Sequence, residues 1–516
     1  EVSKIEIIEK FNDKGYKKLL RKFIIRYKSP IGTFFIEKKN YKIDGNNIIF
    51  PRFSTSDLLN CNILDSVENL IPEGIPIDIT YTGTPLYNQK IITDYIFKMN
   101  YNEENKKKGI CGITLNSATG TGKTFLAMNV INRIKLKTLI VVPTIYLLNQ
   151  WVELLKNYFP NNKIGYYYGK EKEDGDIVIG LINSLIKPSF IFTEIKINEI
   201  EEIKKGKRII KQKKEKIITI KSYKEYFKDF GFVILDESHA YCTDSYKVIY
   251  NRFQSTYMLG LSATPDDRLD KCDIISHLNI GKVLIASDIE KYQNDNTNFS
   301  AMVSVVKYNG PDKYTNVHIN KITKMTCVPK IIEDIINDEY RNKLIIEQIY
   351  ELFNKKLNIF VFSERRSHLE YLYEQFNYLL DDKFTDNNLI KDNISIPELD
   401  INKNIILYGN SSDEDVNMAK TNSNIIFTTY AYSSTGISIN RMNALILTTP
   451  RRNKSVQIIG RIFRLNKENT HIKRVIIDIV DNKSILKNQF YTRQKAYKER
   501  NAEIETKIIN YTDIIF

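Results

Sequence analysis

The chain has 516 residues, enough for about three domains, and 42% of them are apolar, which argues against wholesale disorder. Its five cysteines (Cys61, Cys111, Cys242, Cys272, Cys327) are scattered with no CxxC pair, which argues against a disulfide framework or a structural zinc site and for a reducing compartment. The formal charge is +14, but residues 203–224 hold ten Lys/Arg and one Glu and so carry +9 of it, which directs any polyanionic partner toward one stretch.

In chain order, residues 1–80 show short apolar runs at 23–27, 33–36 and 47–50, parted by Ser29-Pro30 and Asp44-Gly45. They read as a small α+β accessory domain without visible chemistry. The opening residues lack a signal-peptide core, and no apolar run approaches the length of a membrane span, so no membrane is expected. From 81 to 290, strand-like runs at 110–115, 138–142, 176–180, 231–235 and 257–261 alternate with helical patterns, which predicts a parallel sheet covered on both faces. A basic insertion at about 192–226 interrupts it, read as a helical or hairpin arm. Residues 291–325, with the turn signal Asn309-Gly310-Pro311, read as a connection. A second alternation at 326–483, with strands at 358–362, 405–408, 424–429, 443–448 and 474–480, predicts a second parallel sheet. Residues 484–516 read as a polar helix to Glu505 and a short apolar tail.

Chemistry concentrates in the first alternation. Ser117-Ala118-Thr119-Gly120-Thr121-Gly122-Lys123-Thr124 lies between a strand and a helix, the setting of a P-loop. Glycines let successive N–H groups face a phosphate, and the helix N-terminus adds positive potential. Lys123 can then reach the β- and γ-phosphates of ATP, and the Thr124 hydroxyl can bind Mg²⁺. Ser117 replaces the glycine of the strict pattern, a mild departure because the position needs a small residue. A surface turn rich in Gly and Thr is the bland alternative. Val233-Ile234-Leu235 runs into Asp236-Glu237-Ser238-His239, so two carboxylates sit at the carboxyl edge of the sheet, where ligands of such sheets bind. Asp236 can share the Mg²⁺ with Thr124, and Glu237 can polarise the attacking water. In the second alternation Gln457-Ile458-Ile459-Gly460-Arg461-Ile462-Phe463-Arg464 puts two arginines three apart, on one face if helical. Their planar donors suit a phosphate, and their expected role is that of arginine fingers stabilising transition-state charge.

These segments, in order, resemble the motifs of superfamily 2 helicases over roughly residues 81–480. Gln89 stands where that family reads adenine, Ser117–Thr124 is its motif I, and Val142-Pro143-Thr144 with Gln150-Trp151 resembles motif Ia. Gly180–Ser184 resembles the next strand-end motif, DESH varies the DEAD/DEAH box, and Leu261–Pro265 contains the SAT of motif III. Phe362–Arg365, then Thr428-Thr429 with Ser434–Ile437, resemble motifs IV and V, and Gln457–Arg464 is a full QxxGRxxR motif VI. The resemblance implies two RecA-like domains in tandem, ATP and Mg²⁺ as cofactors, catalytic Lys123, Asp236, Glu237, Gln457, Arg461 and Arg464, and Gly436 in the nucleotide site. It places nucleic-acid contacts at Pro143, Thr144, Ser184, Arg268, Ser363, Arg365 and Thr429, each of them also a plain turn residue when taken singly. His239 is either a satisfied strand-end histidine or a bridge to motif III.

Within the superfamily the chain is most similar to XPB-like helicases, and more narrowly to the transcript-release DNA helicases of poxviruses and related large cytoplasmic DNA viruses. DESH, the Gly260–Asp270 run, QIIGRIFR and the closing Phe490-Tyr491-Thr492-Arg493 carry this likeness. The Arg-Glu-Asp element of XPB is absent, and Arg268-Leu269-Asp270 stands there. The expectation is a monomeric, ATP-dependent DNA helicase or translocase of the cytoplasm or, if viral, the virion, with RNA polymerase or transcription factors as partners. An RNA helicase and a non-hydrolysing, ATP-switched clamp are the alternatives. The basic arm is either a solvated charge run or an auxiliary duplex grip.

Overall fold

A computed structural model of the chain describes residues 2–28, 35–55, 58, 69–117, 121–169, 171–187, 191–197, 216–263, 265, 270–292, 301–321, 326–388, 404–409, 411–434, 439, 441–451, 455–463, 473–498 and 501–515. The chain divides into two compact units, the first running to Tyr292 and the second from Gln293.

The first unit opens on β1 (Val2–Ser3) and helix α1 (Lys4–Lys22), followed by β2 (Ile24–Lys28), β3 (Phe35–Lys39), β4 (Lys42–Asp44) and β5 (Asn47–Ile49). β2 and β3 form an antiparallel hairpin, and β1, β5 and β4 form a small sheet. Their own core of Ile7, Tyr16, Leu19, Leu20, Phe23, Ile48 and Leu58 makes this the α+β module expected. It is fastened within the unit by Arg52, whose guanidinium donates to the carbonyls of Gly109, Ser255 (2.6 Å) and Thr256 (2.8 Å). The hairpin adds an ion pair from Lys38 to Asp244 at 2.9 Å.

Helix α2 (Tyr87–Met99) leads into the sheet strands β6 (Cys111–Asn116), β7 (Thr138–Val142), β8 (Ile164–Tyr168), β9 (Glu171–Glu173) and β10 (Ile177–Leu181). The insertion follows as β11 (Ile191–Ile197) and β12 (Lys216–Ser222), then the sheet resumes with β13 (Phe232–Asp236), β14 (Tyr257–Ser262) and β15 (Val283–Ile285). The order is β15-β6-β14-β13-β7-β10-β8-β9, parallel except for the β8–β9 hairpin. Helix α3 (Lys123–Ile134) follows β6, and α4 (Ile145–Tyr158) follows β7. The central strands are buried end to end, as strands covered on both faces must be. β11 and β12 pair antiparallel in seven-residue register, so the base of the basic arm is a hairpin; residues 198–215 lie outside the described residues.

The second unit holds β16 (Ala301–Asn309), helix α5 (Glu339–Asn354), β17 (Ile359–Ser363), α6 (Arg366–Asn388), β18 (Asn404–Leu407), β19 (Ile425–Thr429), β20 (Ala444–Leu447), β21 (Arg474–Asp481), α7 (Gln489–Lys498) and β22 (Glu503–Asn510). Its sheet runs β18-β19-β17-β20-β21-β16-β22, parallel throughout. Two expectations are corrected here. Part of the 291–325 connection is β16, an inner strand with neighbours on both sides. The closing polar helix stops at Lys498, and Glu503–Asn510 adds β22 to the sheet edge. An edge strand needs little burial, so the charged sequence of β22 suits it.

Candidate nucleotide and nucleic-acid sites

Parallel register gathers the first unit's candidates on one edge. Asp236 ends β13 opposite Leu261, and Ser262 ends β14 opposite Asn116, one residue before Ser117. The Ser117 N–H donates to the Ser262 carbonyl at 3.2 Å, tying the start of the P-loop to motif III. Gly122 holds φ +78°, a left-handed conformation glycine reaches at little cost, and a Cβ there would stand 2.4 Å from Gln89 Nε2. Lys123 begins α3 and donates from Nζ to the Ser117 carbonyl at 2.9 Å. Thr124 follows it, half-buried. Ala118, Thr119 and Gly120 lie outside the described residues.

Gln89 is buried, and its amide works inside the protein: Oε1 accepts from the Leu86 N–H (2.9 Å) and Nε2 donates to the Gly122 carbonyl (3.3 Å). It therefore joins the start of α2 to the P-loop backbone, with one N–H and one lone pair left over.

The two carboxylates differ sharply. Asp236 is buried; Trp151 Nε1 donates to its Oδ2 at 2.9 Å and the Glu237 N–H to its Oδ1 at 3.0 Å. Burial pushes its pKa up to about 6, helped by the charge of Glu237, while the Trp151 hydrogen bond and the Lys123 charge pull the other way. Glu237 sits at φ +52°, a strained setting for a side-chain-bearing residue and one that recurs at functional sites. Its Oε2 is buried and accepts no hydrogen bond. Tyr241 braces the strand end, its hydroxyl 2.8 Å from the Asp236 carbonyl and 3.0 Å from that of Val141. His239 Nδ1 lies 3.0 Å from Ser262 Oγ, so the fourth residue of DESH does touch motif III. Thr264 and Arg268 lie outside the described residues.

A helix N-terminus with a lysine, on the same sheet edge as the buried Asp236 and the half-buried Glu237, whose Oε2 lies 3.4 Å from His239 Nδ1, is a donor set suited to a magnesium nucleotide. Among the described residues no group of three or more His, Cys, Asp or Glu could hold a metal by itself, so the ion's other ligands would be nucleotide oxygens and water. A bound magnesium would shield the phosphates' charge and draw electron density from the γ-phosphorus.

The strand-end contacts are mixed. Thr144 caps α4, its hydroxyl accepting from the Leu147 N–H at 3.3 Å, and Pro143 beside it is half-buried. The side chains of Ser184 and Ser363 are buried, and each hydroxyl has a partner inside the protein. Ser184 Oγ accepts from the Gly169 N–H at 3.0 Å; Ser363 Oγ lies 3.0 Å from His368 Nδ1 and accepts from the Arg365 N–H at 3.2 Å. Arg365 is exposed, and Thr429, half-buried, accepts from the Tyr432 N–H at 3.2 Å.

In the second unit the helix of motif VI, Ser455–Ile459, gives way to a 3₁₀ turn at Gly460–Ile462. The continuous helix face assumed for its two arginines is thus not formed over 460–462. Gln457 and Arg461 are buried, and Gln457 Nε2 has no hydrogen-bond partner. Arg464 and Gly436 lie outside the described residues. Buried groups hold this segment, among them Arg493 of the closing run noted in the sequence. Arg474 Nε donates to the Ile462 carbonyl at 2.7 Å. Arg493 on α7 grips Asp478 through two 2.8 Å bonds, and donates to the Arg451 carbonyl at 2.8 Å. Arg451 in turn pairs with Glu364 of motif IV at 2.7 Å. The only sequence signal for Arg474 and Asp478 was a pair of opposite charges in an otherwise apolar strand.

The chain is an ATP-hydrolysing helicase built on two parallel sheets, and the order of its motifs is similar to that of superfamily 2 helicases. Residues 83–267 match the family model "Type III restriction enzyme, res subunit". The chain is 28% identical over 487 residues to "Putative ATP-dependent RNA helicase" of African swine fever virus, covering 90% of this chain and 82% of that one. It is 24% identical over 421 residues to "Transcript termination protein A18" of Yaba-like disease virus, covering 80% and 74% respectively. Among solved structures, S. cerevisiae Dbp5 bound to RNA and ADP BeF3 matches with TM-score 0.46 and 12% identity, over 83% of this chain and 94% of that one.

Proposed function

We propose that the protein is an ATP-dependent DNA helicase or translocase acting in transcript release. The observation that carries the ATPase part is the shared edge of Lys123, Asp236 and Glu237, with a buried Glu237 oxygen that accepts no hydrogen bond. In this reading Lys123 and the N–H groups of the P-loop bind the phosphates, Thr124 and Asp236 hold Mg²⁺, and Glu237 orients water and takes its proton. Gln457, Arg461 and Arg464 are assigned to hydrolysis, as the motif implies. Thr144, Arg365 and Thr429 offer donors for a strand, and Pro143, which has no N–H, shapes the turn beside Thr144, a grip with little sequence preference. Ser184 and Ser363 are assigned to the same grip by the motifs they belong to. The transcription role rests on the likeness to "Transcript termination protein A18", and the DNA substrate on the motif resemblance to transcript-release DNA helicases alone. The viral relatives favour action in the host cytoplasm or virion, and among the described residues no helix is long and apolar enough to cross a membrane.

A second reading, an RNA helicase, is favoured by the name of the African swine fever virus relative. ATPase activity measured with single-stranded DNA, duplex DNA and RNA at several salt concentrations separates the two. DNA should stimulate hydrolysis, with a steep fall as salt rises. Stimulation by RNA alone would overturn the DNA assignment. Lys123→Ala should abolish turnover on every cofactor; a single burst of phosphate without turnover in the unaltered protein would favour a clamp.

A further inference from the structure

Trp151 is the sole tryptophan of the chain. It lies on α4, 1% exposed, in the core beneath the first sheet. A buried indole N–H needs an acceptor, and any backbone carbonyl would serve. Here the acceptor is Asp236 Oδ2 at 2.9 Å, while Asp236 Oδ1 takes the Glu237 N–H at 3.0 Å. Each carboxylate oxygen thus receives one fixed donor, from a different element, and keeps one lone pair. That pattern fixes the rotation of the carboxylate plane and leaves both oxygens able to meet a cation. We propose that Trp151 is the positioning residue for Asp236: its indole N–H aims the carboxylate at the magnesium of the bound nucleotide. The inference rests on the reading of Asp236 as a magnesium-holding group.

The placement of Trp151 adds a consequence. α4 begins at the Thr144 cap, in the segment proposed to meet a nucleic-acid strand, and Trp151 lies two turns along it. Displacement of that helix moves the donor that aims the carboxylate. Strand contact and metal geometry therefore meet in one hydrogen bond.

The test uses the full chain. Trp151→Phe keeps an aromatic ring in the core and removes the donor along with part of the indole, a loss of packing for which Leu155→Ala is the control. Leu155→Ala, one turn further on α4 and equally buried, damages the same core without touching Asp236. The expected result is that Trp151→Phe raises the half-saturating Mg²⁺ concentration for ATPase roughly 10- to 100-fold, the usual scale for a group that orients a metal ligand. The gain in affinity for a fluorescent ADP analogue on adding Mg²⁺ should shrink by a similar factor, with affinity in EDTA unchanged. Leu155→Ala should move neither quantity. Equal Mg²⁺ dependence in Trp151→Phe and the unaltered protein, or an equal shift in Leu155→Ala, would overturn the proposal.

Should Trp151→Phe not fold, the unaltered chain still decides, because its fluorescence reports this one side chain. Mg²⁺ added to the ADP-bound protein should change the tryptophan emission, and should not do so in Asp236→Asn. Emission indifferent to Mg²⁺ sinks the inference. If Asp236→Asn itself leaves the Mg²⁺ dependence unaltered, the metal assignment of Asp236 fails first; a shift in Asp236→Asn with none in Trp151→Phe removes Trp151 alone.

Discussion

Burial acts on an acid in the first unit and on a base in the second, with opposite consequences. Asp236 loses solvent beside a second carboxylate, and its pKa climbs to about 6. His368 loses solvent near the Arg341 guanidinium, and its pKa drops to about 3. Both imidazole nitrogens of His368 are engaged, with Ser363 Oγ at 3.0 Å and Asn342 Oδ1 at 2.9 Å, so the neutral ring is fully satisfied. Asp236 at neutral pH is a charge waiting for a countercharge. The first unit stores an unfavourable charge where a cation and phosphates are proposed to bind, and the second spends His368, Arg474 and Arg493 on holding loops still. An enzyme that must respond to nucleotide benefits from that division, since the responsive part has to be the less satisfied one.

The largest effect expected of a change that breaks the contrast is at Arg493. Its pairing with Asp478 is fully buried, and Tyr497 donates to the same carboxylate at 2.7 Å. Arg493→Ala leaves Asp478 charged and uncompensated, which should cost about 3–5 kcal/mol in the unfolding of the second unit, read by urea titration. Asp478→Asn added to it should restore part of the loss. If Arg493→Ala costs no more than a surface substitution, the second unit is not held by this network.

His368→Gln sharpens the contrast through pH. The folded pKa lies below the ordinary 6.5, so protonation favours the unfolded chain. Stability from this group is complete above pH 6.5 and is lost as pH falls toward 3. Between pH 7 and pH 5 the unaltered protein should lose about 2 kcal/mol through this histidine, a loss that the glutamine variant escapes. Parallel pH curves for the two proteins would show that His368 is not held neutral.

Much of this was legible in the sequence. Ten predicted strands lie within a residue or so of those observed, because each apolar run stops at a small, polar or charged residue that cannot continue a buried strand. β16 was hidden by its neighbourhood: the turn signal that follows it made Ala301–Asn309 look like connection. β22 was hidden by its charges, which at a sheet edge carry no helical meaning. The P-loop and DESH were readable because their chemistry is local in sequence. The contacts of Trp151, Arg474 and Arg493 were not, since each joins positions far apart in sequence that meet only when helices and loops pack on the sheets. Burial of Ser184 and Ser363 was equally invisible, because a strand-end serine has the same letter whether its hydroxyl faces solvent or a neighbouring loop.

The smallest expected change is also the one that tests the stored charge in the first unit. The folded pKa of Asp236 lies above the unfolded 3.8, so the fold prefers the protonated form. Stability from this group is full below pH 3.8 and is lost as pH rises through about 6, a linkage worth about 3 kcal/mol by pH 8. Asp236→Asn removes that cost. It also replaces one acceptor oxygen by an amide, so the Trp151 donor or the Glu237 N–H loses its partner, at about 1 kcal/mol. The nucleotide-free variant should therefore be more stable than the unaltered protein by about 1–2 kcal/mol at pH 8, while hydrolysing no ATP. The advantage should vanish, and turn to a small deficit, as pH approaches 4. If the variant is less stable at every pH, the buried carboxylate is not the strained group described, and the contrast between the two units rests on the second alone.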